Sequence, residues 1–315
     1  MTDLIRLSGK EQELFLCNLR AALSPSTFRA YSSEVKSFRR WCEGESVAAF
    51  PASAFTVARY IGQLRSTGRS FSSVRSFVSA VRLWHEAAGL ASPTDDPQVR
   101  AAVKAAARSM GRAGHQKAAL TIDLLTAILR SIPDDVRGRR DRAILAVGFM
   151  GGFRRAELAA LSVSDLERKT DKRGLPLVLV TVRRSKTDPT GAGMVKALFS
   201  GRELNAVALL DEWLEVYEPA EDAPLFPSIR RGGHIQDRAL SGGAVAKIVQ
   251  DRAQGAGMRL DVAGHSLRRG FVTSAIEAGA SERSVMNQTG HKSSSSLRKY
   301  IERHDAETDN AAALF

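Results

Sequence analysis

One tyrosine stands among cationic residues near the end of this 315-residue chain. Tyr300 is one of only four tyrosines, and His265, Arg268 and His291 precede it within 35 residues. A phenol with a pKa near 10 is only about a thousandth ionised at pH 7, which costs roughly 4 kcal/mol in any reaction of the phenolate. Neighbouring cations would lower this cost, and a histidine could accept the proton. These residue types suit a tyrosine nucleophile.

Several other kinds of site do not fit the sequence. The segment GHKSS lacks the glycine that a phosphate-binding loop needs five residues before Gly290. GHSLR has Arg268 where a nucleophile elbow needs glycine. We find no HExxH pattern and no close acidic cluster, and we therefore predict no metal and no cofactor.

After these exclusions, the chemistry that fits the residues is phosphoryl transfer by a tyrosine nucleophile without a metal. A phosphodiester under attack gains negative charge on its non-bridging oxygens, and planar guanidinium groups bind that charge well. The leaving alkoxide also needs a proton, which a lysine could supply. The sequence must then bring arginines, a lysine and histidines to Tyr300.

The charge of the chain favours a polyanionic partner. The net charge is +12 and the isoelectric point is about 10.1. Residues 1–117 hold 17 basic and 9 acidic residues, and the remainder holds 29 and 25, so the first third is the more basic part. Clustered Lys and Arg gain free energy by releasing the counterions of nucleic acid. Binding to a membrane surface and plain solubility are alternatives that basicity alone leaves open.

Length and composition favour two helical domains in a reduced compartment. The chain exceeds the usual length of a single domain, and 43% of its residues are hydrophobic. No apolar run approaches the roughly 18 residues of a membrane span, so we expect no membrane partner. The start, MTDLIRLSGKEQEL, lacks the apolar core of a signal peptide, and two cysteines make no disulfide framework. We predict a cytoplasmic protein.

Helical periodicity dominates the first part of the sequence. It predicts helices at about 11–22, 26–42, 53–66, 71–89 and 96–110, with N-caps at Ser26 or Thr27, at Ser70 and at Asp95. The segment MGRAGHQKAA has no periodic face and is typical of a linker. We therefore predict a helical N-terminal domain at 1–110, a linker at 111–119 and a second domain at 120–315.

The second part is predicted to be helical apart from one hairpin. TIDLLTAILRSI and RGRRDRAILAVGFM have the pattern of amphipathic helices. Val178–Val182 and Met194–Phe199, separated by a turn sequence, predict a β-hairpin. Helices are predicted again at about 203–217, 241–254, 266–278 and 281–288. The expected fold class is mainly α with a small sheet.

The segment from His265 to Tyr300 resembles the signature of the tyrosine recombinases, the phage integrase family. His265 and Arg268 match its His-x-x-Arg box, and TGH ending at His291 matches its last histidine, nine residues before Tyr300. Upstream, GGFRRAEL resembles the first arginine box, and RRSKT resembles the loop of the family's lysine. The resemblance implies seven catalytic residues: Arg154, Glu157, Lys186, His265, Arg268, His291 and Tyr300.

The N-terminal part also resembles this family, most closely its Cre-like members. RRWCEGESVAAFPAS, GRSFSSVRS and AAGLASPTDDPQV follow the core-binding domain of those recombinases in order and length. One difference is that Cre-like recombinases carry tryptophan where His291 stands here. At that position the chain is similar to the wider family.

The resemblance implies a fold, a reaction and an assembly. The expected fold is a C-shaped clamp on the duplex. Tyr300 would form a 3′-phosphotyrosine without ATP, and two rounds of exchange would pass through a Holliday junction. The expected partner is double-stranded DNA with a short inverted-repeat site, bound by a dimer on one site and a homotetramer on two. The C-terminal tail would dock in a neighbouring protomer, and the protein would be bacterial or encoded by a phage or plasmid, and associated with the nucleoid.

Candidate DNA contacts are short polar or basic residues on predicted helices and loops. Serines and an arginine at the start of a helix suit base edges or phosphates in a major groove, and exposed cations suit phosphates. The candidates are Arg29, Ser72, Ser73, Arg75, Ser76, Lys104, Arg108, Arg230, Arg231 and Arg238.

Two other functions share these features. A type IB topoisomerase would use the same nucleophile to relax DNA as a monomer. A recombinase-derived protein could bind DNA without cleaving it, although all seven catalytic positions are filled here.

Overall fold

The chain is mainly helical and divides into two compact units. They are Met1–Gln116 and Lys117–Phe315. The predicted linker spans this boundary, but most of it lies outside the described residues, and the assigned domain limits stay predictions. The computed structural model describes residues 17, 23–111, 117–183, 193–291, 293–294, 297–298 and 300–301.

The described part of the first unit is a helical bundle around an aromatic core. The Phe38 ring lies 5.1 Å from the rings of both Tyr60 and Phe77, and all three are buried. The predicted helix at 11–22 lies outside the described residues apart from Cys17. The helices are α1 (Pro25–Gly44), α2 (Ala54–Ser66), α3 (Phe71–Ala87) and α4 (Pro97–Met110).

Two of the predicted helix caps in this unit are wrong by one to three residues. Ser24, not Ser26 or Thr27, accepts a hydrogen bond from the backbone of Thr27 and caps α1. Asp96, not Asp95, caps α4. In both cases proline follows the cap, since proline fits the first helical position, where no N–H is needed. The predicted cap Ser70 is confirmed for α3.

The second unit combines helices with two small sheets in its described part. The predicted hairpin is confirmed: β2 (Pro176–Val182) and β3 (Met194–Phe199) pair antiparallel, with Val178 opposite Leu198 and Val182 opposite Met194. None of the helices in the described ranges is long and apolar enough to span a membrane. The elements are α5 (Ile122–Ser131), α6 (Val136–Met150), α7 (Arg155–Ala159), β1 (Leu166–Thr170), β2 (Pro176–Val182), β3 (Met194–Phe199), α8 (Ala206–Tyr217), β4 (Pro227–Ile229), β5 (Ile235–Ala239), α9 (Gly242–Gly255), α10 (Gly264–Glu277) and α11 (Glu282–Thr289).

Strand β1 is not predicted by the sequence pattern. Its residues LERKT are mostly exposed, and they pair with β2 at the edge of the three-stranded sheet, where Leu166 lies opposite Val180. An edge strand with little apolar surface carries no alternating pattern that would reveal it. Backbone pairing with β2 specifies this strand.

Helix α6 was predicted to be amphipathic, but ten of its 15 residues are buried and none is fully exposed. Its buried residues include Arg140 and Asp141 as well as its apolar side chains. Asp141 accepts hydrogen bonds from Arg140 at 2.7 Å and from Arg252 of α9 at 2.8 Å. Because this carboxylate has cationic partners, the helix can bury its charged turn in the centre of the unit.

Helix α10 lies directly against the backbone before α5. The N–H of Leu120 donates to the carbonyl of Ser266 at 3.1 Å. A Cβ atom built on Gly270 would lie 1.6 Å from the carbonyl oxygen of Leu120. Only glycine allows this approach of two backbones.

We predict that Gly270→Ala destabilises the second unit by about 3 kcal/mol, because the two backbones must separate. Gly255→Ala is the matched control, since a Cβ atom there meets nothing within 4 Å, and helical alanine is favoured over glycine by up to about 1 kcal/mol. Thermal unfolding monitored by circular dichroism measures both. Equal melting temperatures for the two variants would contradict this packing.

Candidate active site

The first arginine box forms an ion pair at the start of α7. Arg154 occupies the N-cap position, and its guanidinium lies 2.5 Å from Oε1 of Glu157. The other carboxylate oxygen accepts the backbone N–H of Arg154 at 3.0 Å. The carboxylate is 3% exposed and the arginine side chain 16%. Glu157 therefore orients Arg154 and compensates its charge in a nearly dry site.

The two glycines before Arg154 make a turn whose carbonyl groups point toward the site. Gly152 has φ +52°, a conformation that glycine adopts without strain. A Cβ atom at Gly152 would also lie 2.9 Å from the side chain of Thr289. This turn brings the backbone oxygens of Gly151 and Gly152 within reach of cations on other elements.

Arg268 is the buried centre of the site. It lies on α10 and is 5% exposed. Its Nη1 donates to the carbonyl of Gly152 at 2.8 Å and to that of Thr289 at 2.5 Å. Burial and the nearby charge of Arg154 lower the pKa of Arg268 to about 10, while Glu157 and Tyr300 act to raise it. The guanidinium remains charged at neutral pH.

His291 receives a hydrogen bond from Arg268. The distance from Nη2 of Arg268 to Nε2 of His291 is 2.9 Å. Because a guanidinium only donates, Nε2 must accept and the proton must lie on Nδ1. That N–H faces Oγ1 of Thr289 at 2.7 Å, and the hydroxyl in turn donates to the carbonyl of Val285 at 2.6 Å. The imidazole is therefore neutral, with its tautomer determined by both neighbours.

The surroundings strongly disfavour a charged His291. Burial and the charges of Arg268, Arg154 and Lys196 together lower its pKa to about 4, against the opposing effect of Glu157. His291 thus holds Arg268 in place and does not add a charge.

Tyr300 stands beside this cluster on a short helical segment. It is half-buried, and its ring packs against an apolar cluster that contains Val272, Ile276 and Leu297. The guanidinium carbon of Arg269 lies 5.7 Å from the centre of the phenol ring. Arg269 also donates to the carbonyl of Lys117. The predicted nucleophile is therefore placed by apolar packing on one side and by a cation on its ring.

The remaining two predicted catalytic residues are less closely defined. His265 is exposed on the first turn of α10, three residues before Arg268 and hence on the same helical face. Lys186 lies outside the described residues. The structure thus brings together Arg154, Glu157, Arg268 and His291, with Tyr300 close enough to act on the charge of Arg268.

The predicted DNA contacts are accessible side chains. Ser73 and Ser76 are half-buried, and Ser73 lies 3.1 Å from the capping hydroxyl of Ser70. Arg230 and Arg231 lie in the turn between β4 and β5. The exposed candidates are Arg29, Ser72, Arg75, Lys104, Arg108, Arg230, Arg231 and Arg238. Their exposure agrees with a role in binding DNA, which stays a prediction.

Sequence reasoning missed three residues that build the site. Thr289 and Gln288 connect the end of α11 to its neighbours. Lys196 is buried on β3 and donates to the carbonyls of Gly151 and Gln288. The one signal for Lys196 was a lysine at an inward position of the otherwise apolar strand MVKALF. Its partners lie 45 and 92 residues away, so no local pattern could identify them.

Comparisons with known proteins agree on one family. A model of the phage integrase family matches residues 119–307. An integrase/recombinase XerD homologue of Selenomonas ruminantium is 32% identical over 300 residues, covering 93% of this chain and 86% of that protein. The Cre recombinase of Escherichia phage P1 is 26% identical, with 92% and 87% covered.

Solved structures share the fold. XerH recombinase bound to a palindromic difH substrate aligns with a TM-score of 0.66 and 17% identity, covering 97% of this chain and 84% of that one. A lambda integrase dimer bound to a COC′ core site aligns with a TM-score of 0.63 and 18% identity, covering 92% and 75%. This shared fold, mostly helical with small antiparallel sheets, confirms the predicted fold class.

We predict that His291 stays neutral well below the usual range of histidine. The unfolded chain binds a proton there below about pH 6.5, whereas the folded chain does so only near pH 4. The stability contributed by neutral His291 is therefore fully present above pH 6.5 and is lost as the pH falls toward 4. Imidazole ¹⁵N NMR measures the titration, with His291→Gln to assign the resonance. Protonation near pH 6.5 would contradict the contact with Arg268.

We also predict that Glu157→Gln destabilises the second unit by about 3 kcal/mol, because it leaves Arg154 without a countercharge in a buried site. The matched control is Asp251→Asn, which breaks the exposed pair with Lys247 and should change stability by less than about 1 kcal/mol. Urea unfolding measures both variants. Equal losses would show that burial does not strengthen the pair with Arg154.

Proposed function

The chain belongs to the phage integrase family and is a tyrosine recombinase, and from this premise we propose how its residues carry out site-specific recombination. Tyr300 attacks a DNA phosphodiester and forms a 3′-phosphotyrosine with release of a free 5′ hydroxyl. The 5′ hydroxyl of a partner strand then attacks the phosphotyrosine. This attack forms a new phosphodiester with the partner strand and releases Tyr300. One ester replaces another at each step, so the reaction needs no ATP.

The observation that carries this proposal is the excess of positive charge beside Tyr300. Arg154 and Arg268 are largely buried, Glu157 is their acidic neighbour among the described residues, and His291 is neutral. A buried cluster with unmatched positive charge is suited to an anion, and most of all to one whose negative charge increases during reaction. A phosphodiester under attack is such an anion.

The hydrogen bonds of Arg268 explain how it can hold this anion. Three of its five N–H groups donate to described residues: the carbonyls of Gly152 and Thr289 and the ring of His291. These contacts fix the plane of the guanidinium before DNA binds, and the remaining N–H groups are assigned to the phosphate. Pre-oriented donors stabilise the developing charge without reorganising during the reaction.

We assign the proton transfers to the residues outside this buried cluster. His291 uses Nε2 for Arg268, so His265, exposed on α10, is the better candidate to accept the proton of Tyr300. Lys186 then protonates the departing 5′ oxygen. The bond from Tyr300 to phosphorus forms as the bond from phosphorus to the 5′ oxygen breaks.

The substrate is proposed to be double-stranded DNA with a short inverted repeat. Among the relatives of known structure, XerH is bound to a palindromic difH substrate, and a lambda integrase tetramer is bound to a Holliday junction. By analogy we propose a dimer on one site, a tetramer on two, and docking of the C-terminal tail in a neighbouring protomer. The basic first unit supplies DNA contacts through α3 and α4. A topoisomerase is disfavoured because the relatives are recombinases.

We predict that wild-type protein forms covalent adducts with DNA and that Tyr300→Phe forms none, because the substitution removes only the nucleophilic hydroxyl. Purified protein is incubated with fragmented bacterial DNA without metal, and denatured in SDS. DNA attached to protein is then recovered and sequenced. Adducts in wild type alone, linked through a 3′ phosphate and enriched for one site, are the expected result.

Two reference measurements make this test specific. Tyr300→Phe should bind the recovered site with unchanged affinity, and Lys186→Ala should slow adduct formation with little effect on binding. Adducts that survive Tyr300→Phe would refute the assignment of the nucleophile. Retained DNA binding without adducts in wild type would favour a DNA-binding protein that does not cleave.

A further inference from the structure

Strand β3 buries a lysine where its alternation calls for an apolar side chain. Lys196 and Leu198 point to the inner face of the sheet, and Val195 and Phe199 are exposed. Lys196 is only 1% exposed, and its ammonium lies 4.9 Å from the centre of the Phe153 ring. A buried ammonium is costly unless its N–H groups have partners. The identity of those partners indicates its role.

The partners of Lys196 are neighbours of the partners of Arg268. Lys196 donates to the carbonyls of Gly151 at 2.9 Å and Gln288 at 2.8 Å, and Gly152 lies at 3.5 Å. Arg268 donates to the carbonyls of Gly152 and Thr289. Each cation therefore joins one carbonyl of the turn at 151–152 to one carbonyl at the end of α11.

Both joined segments lead directly into the active site. Arg154 follows Gly152 by two residues, and His291 follows Thr289 by two residues. The side chain of Gln288 adds a second connection, since it donates to the carbonyl of Met150 at 2.9 Å and to that of Ala197 at 2.6 Å. A shift of either segment would move the guanidinium or the imidazole that the proposed reaction uses.

The charges around Lys196 argue against the explanation that this lysine is buried only to stabilise the fold. The ammonium lies near Arg268 and Arg154, and burial together with these charges lowers the pKa of Lys196 to about 7, against the attraction of Glu157. An apolar side chain of similar length would fill the site without repelling the arginines. Buried charges are often replaced by apolar groups with no loss of stability.

We propose that Lys196 is a positioning residue that holds the carbonyl groups binding Arg268, and thereby sets the geometry of Arg268 and His291. This inference rests on the proposed function for its effect on DNA cleavage, but the geometric part is independent of activity. Lys196 does not donate a proton to the leaving group, because its N–H groups are directed at backbone carbonyls on the inner face of the sheet.

The geometric part is tested by the tautomer of His291. In wild type the proton lies on Nδ1, because Arg268 donates to Nε2. In Lys196→Met, which keeps the length of the side chain and removes its N–H groups, Arg268 loses its support. We expect the imidazole to revert to the Nε2–H form favoured in water and its pKa to rise toward the ordinary value. Two-dimensional ¹⁵N NMR of the imidazole distinguishes the two forms, with Lys247→Met on the exposed face of α9 as control.

A second variant distinguishes the effect of moving α11 from the effect of removing the charge of Lys196. Gln288→Leu cuts the other connection between α11 and β3 without changing any charge, and the proposal expects it to disturb the same tautomer. It also serves as the test if Lys196→Met fails to fold. A His291 that keeps its proton on Nδ1 in every folded variant would overturn the proposal, whatever the activity of the protein.

The rate of DNA cleavage distinguishes a positioning role of Lys196 from a role as proton donor. On the captured DNA site, we expect Lys196→Met to bind as wild type does and to form adducts about 100-fold more slowly, because a displacement of about 1 Å in an active site can reduce the rate by that factor. A substrate with sulfur in place of the bridging 5′ oxygen has a leaving group that needs no proton. The substrate with sulfur should restore the rate of adduct formation in Lys186→Ala and not in Lys196→Met.

The outcomes distinguish the two proposals. Restoration of Lys196→Met by sulfur would make Lys196 the proton donor and overturn its positioning role. An altered tautomer with no adducts in wild type would support the positioning role and reject the proposed function. An unchanged tautomer with active wild type would reject the positioning role alone.

Discussion

A buried guanidinium must have acceptors, and this requirement organises the site of this recombinase. Arg268 is nearly inaccessible to water, so the loss of hydration must be offset by hydrogen bonds from within the fold. The acceptors are two backbone carbonyls and a histidine ring, and they come from two segments, the turn at Gly152 and the end of α11. The turn at Gly152 and the end of α11 must therefore occupy defined positions before Arg268 can be buried. The same two segments carry Arg154 and His291 into the site.

Charge is distributed in this site so that it stays available for a ligand. Glu157 compensates one arginine, while burial and the surrounding cations keep His291 neutral. Backbone carbonyls satisfy the N–H groups of Arg268 and Lys196 without cancelling their charge, which further carboxylates would do. Partial charges of this kind solvate a cation but leave it able to attract a phosphate. The arrangement explains how a protein could stabilise a phosphoryl transition state with its side chains and backbone.

Helices and the hairpin could be predicted because their signals are local. The apolar periodicity of α1 to α4 and the β-branched run of β2 are contained in short segments, and the structure confirms those elements. The caps of α1 and α4 were predicted at the wrong residues because the prediction did not use the proline that follows each cap. Strand β1 and the burial of α6 escaped prediction, since one depends on pairing with β2 and the other on the elements that surround it.

The sequence by itself determined the family, the candidate nucleophile and the order of the catalytic boxes, because the spacing between His265, Arg268, His291 and Tyr300 is a property of the chain. Only the tertiary structure decided which partners those residues have. The contacts of Arg268 with Gly152, of Lys196 with Gln288 and of His291 with Arg268 join residues 116, 92 and 23 positions apart. They exist because burial removes water from the cations and leaves backbone oxygens of distant segments to replace it. Such contacts have no local sequence pattern, and the role of Lys196 could be inferred only after the fold had placed those oxygens around it.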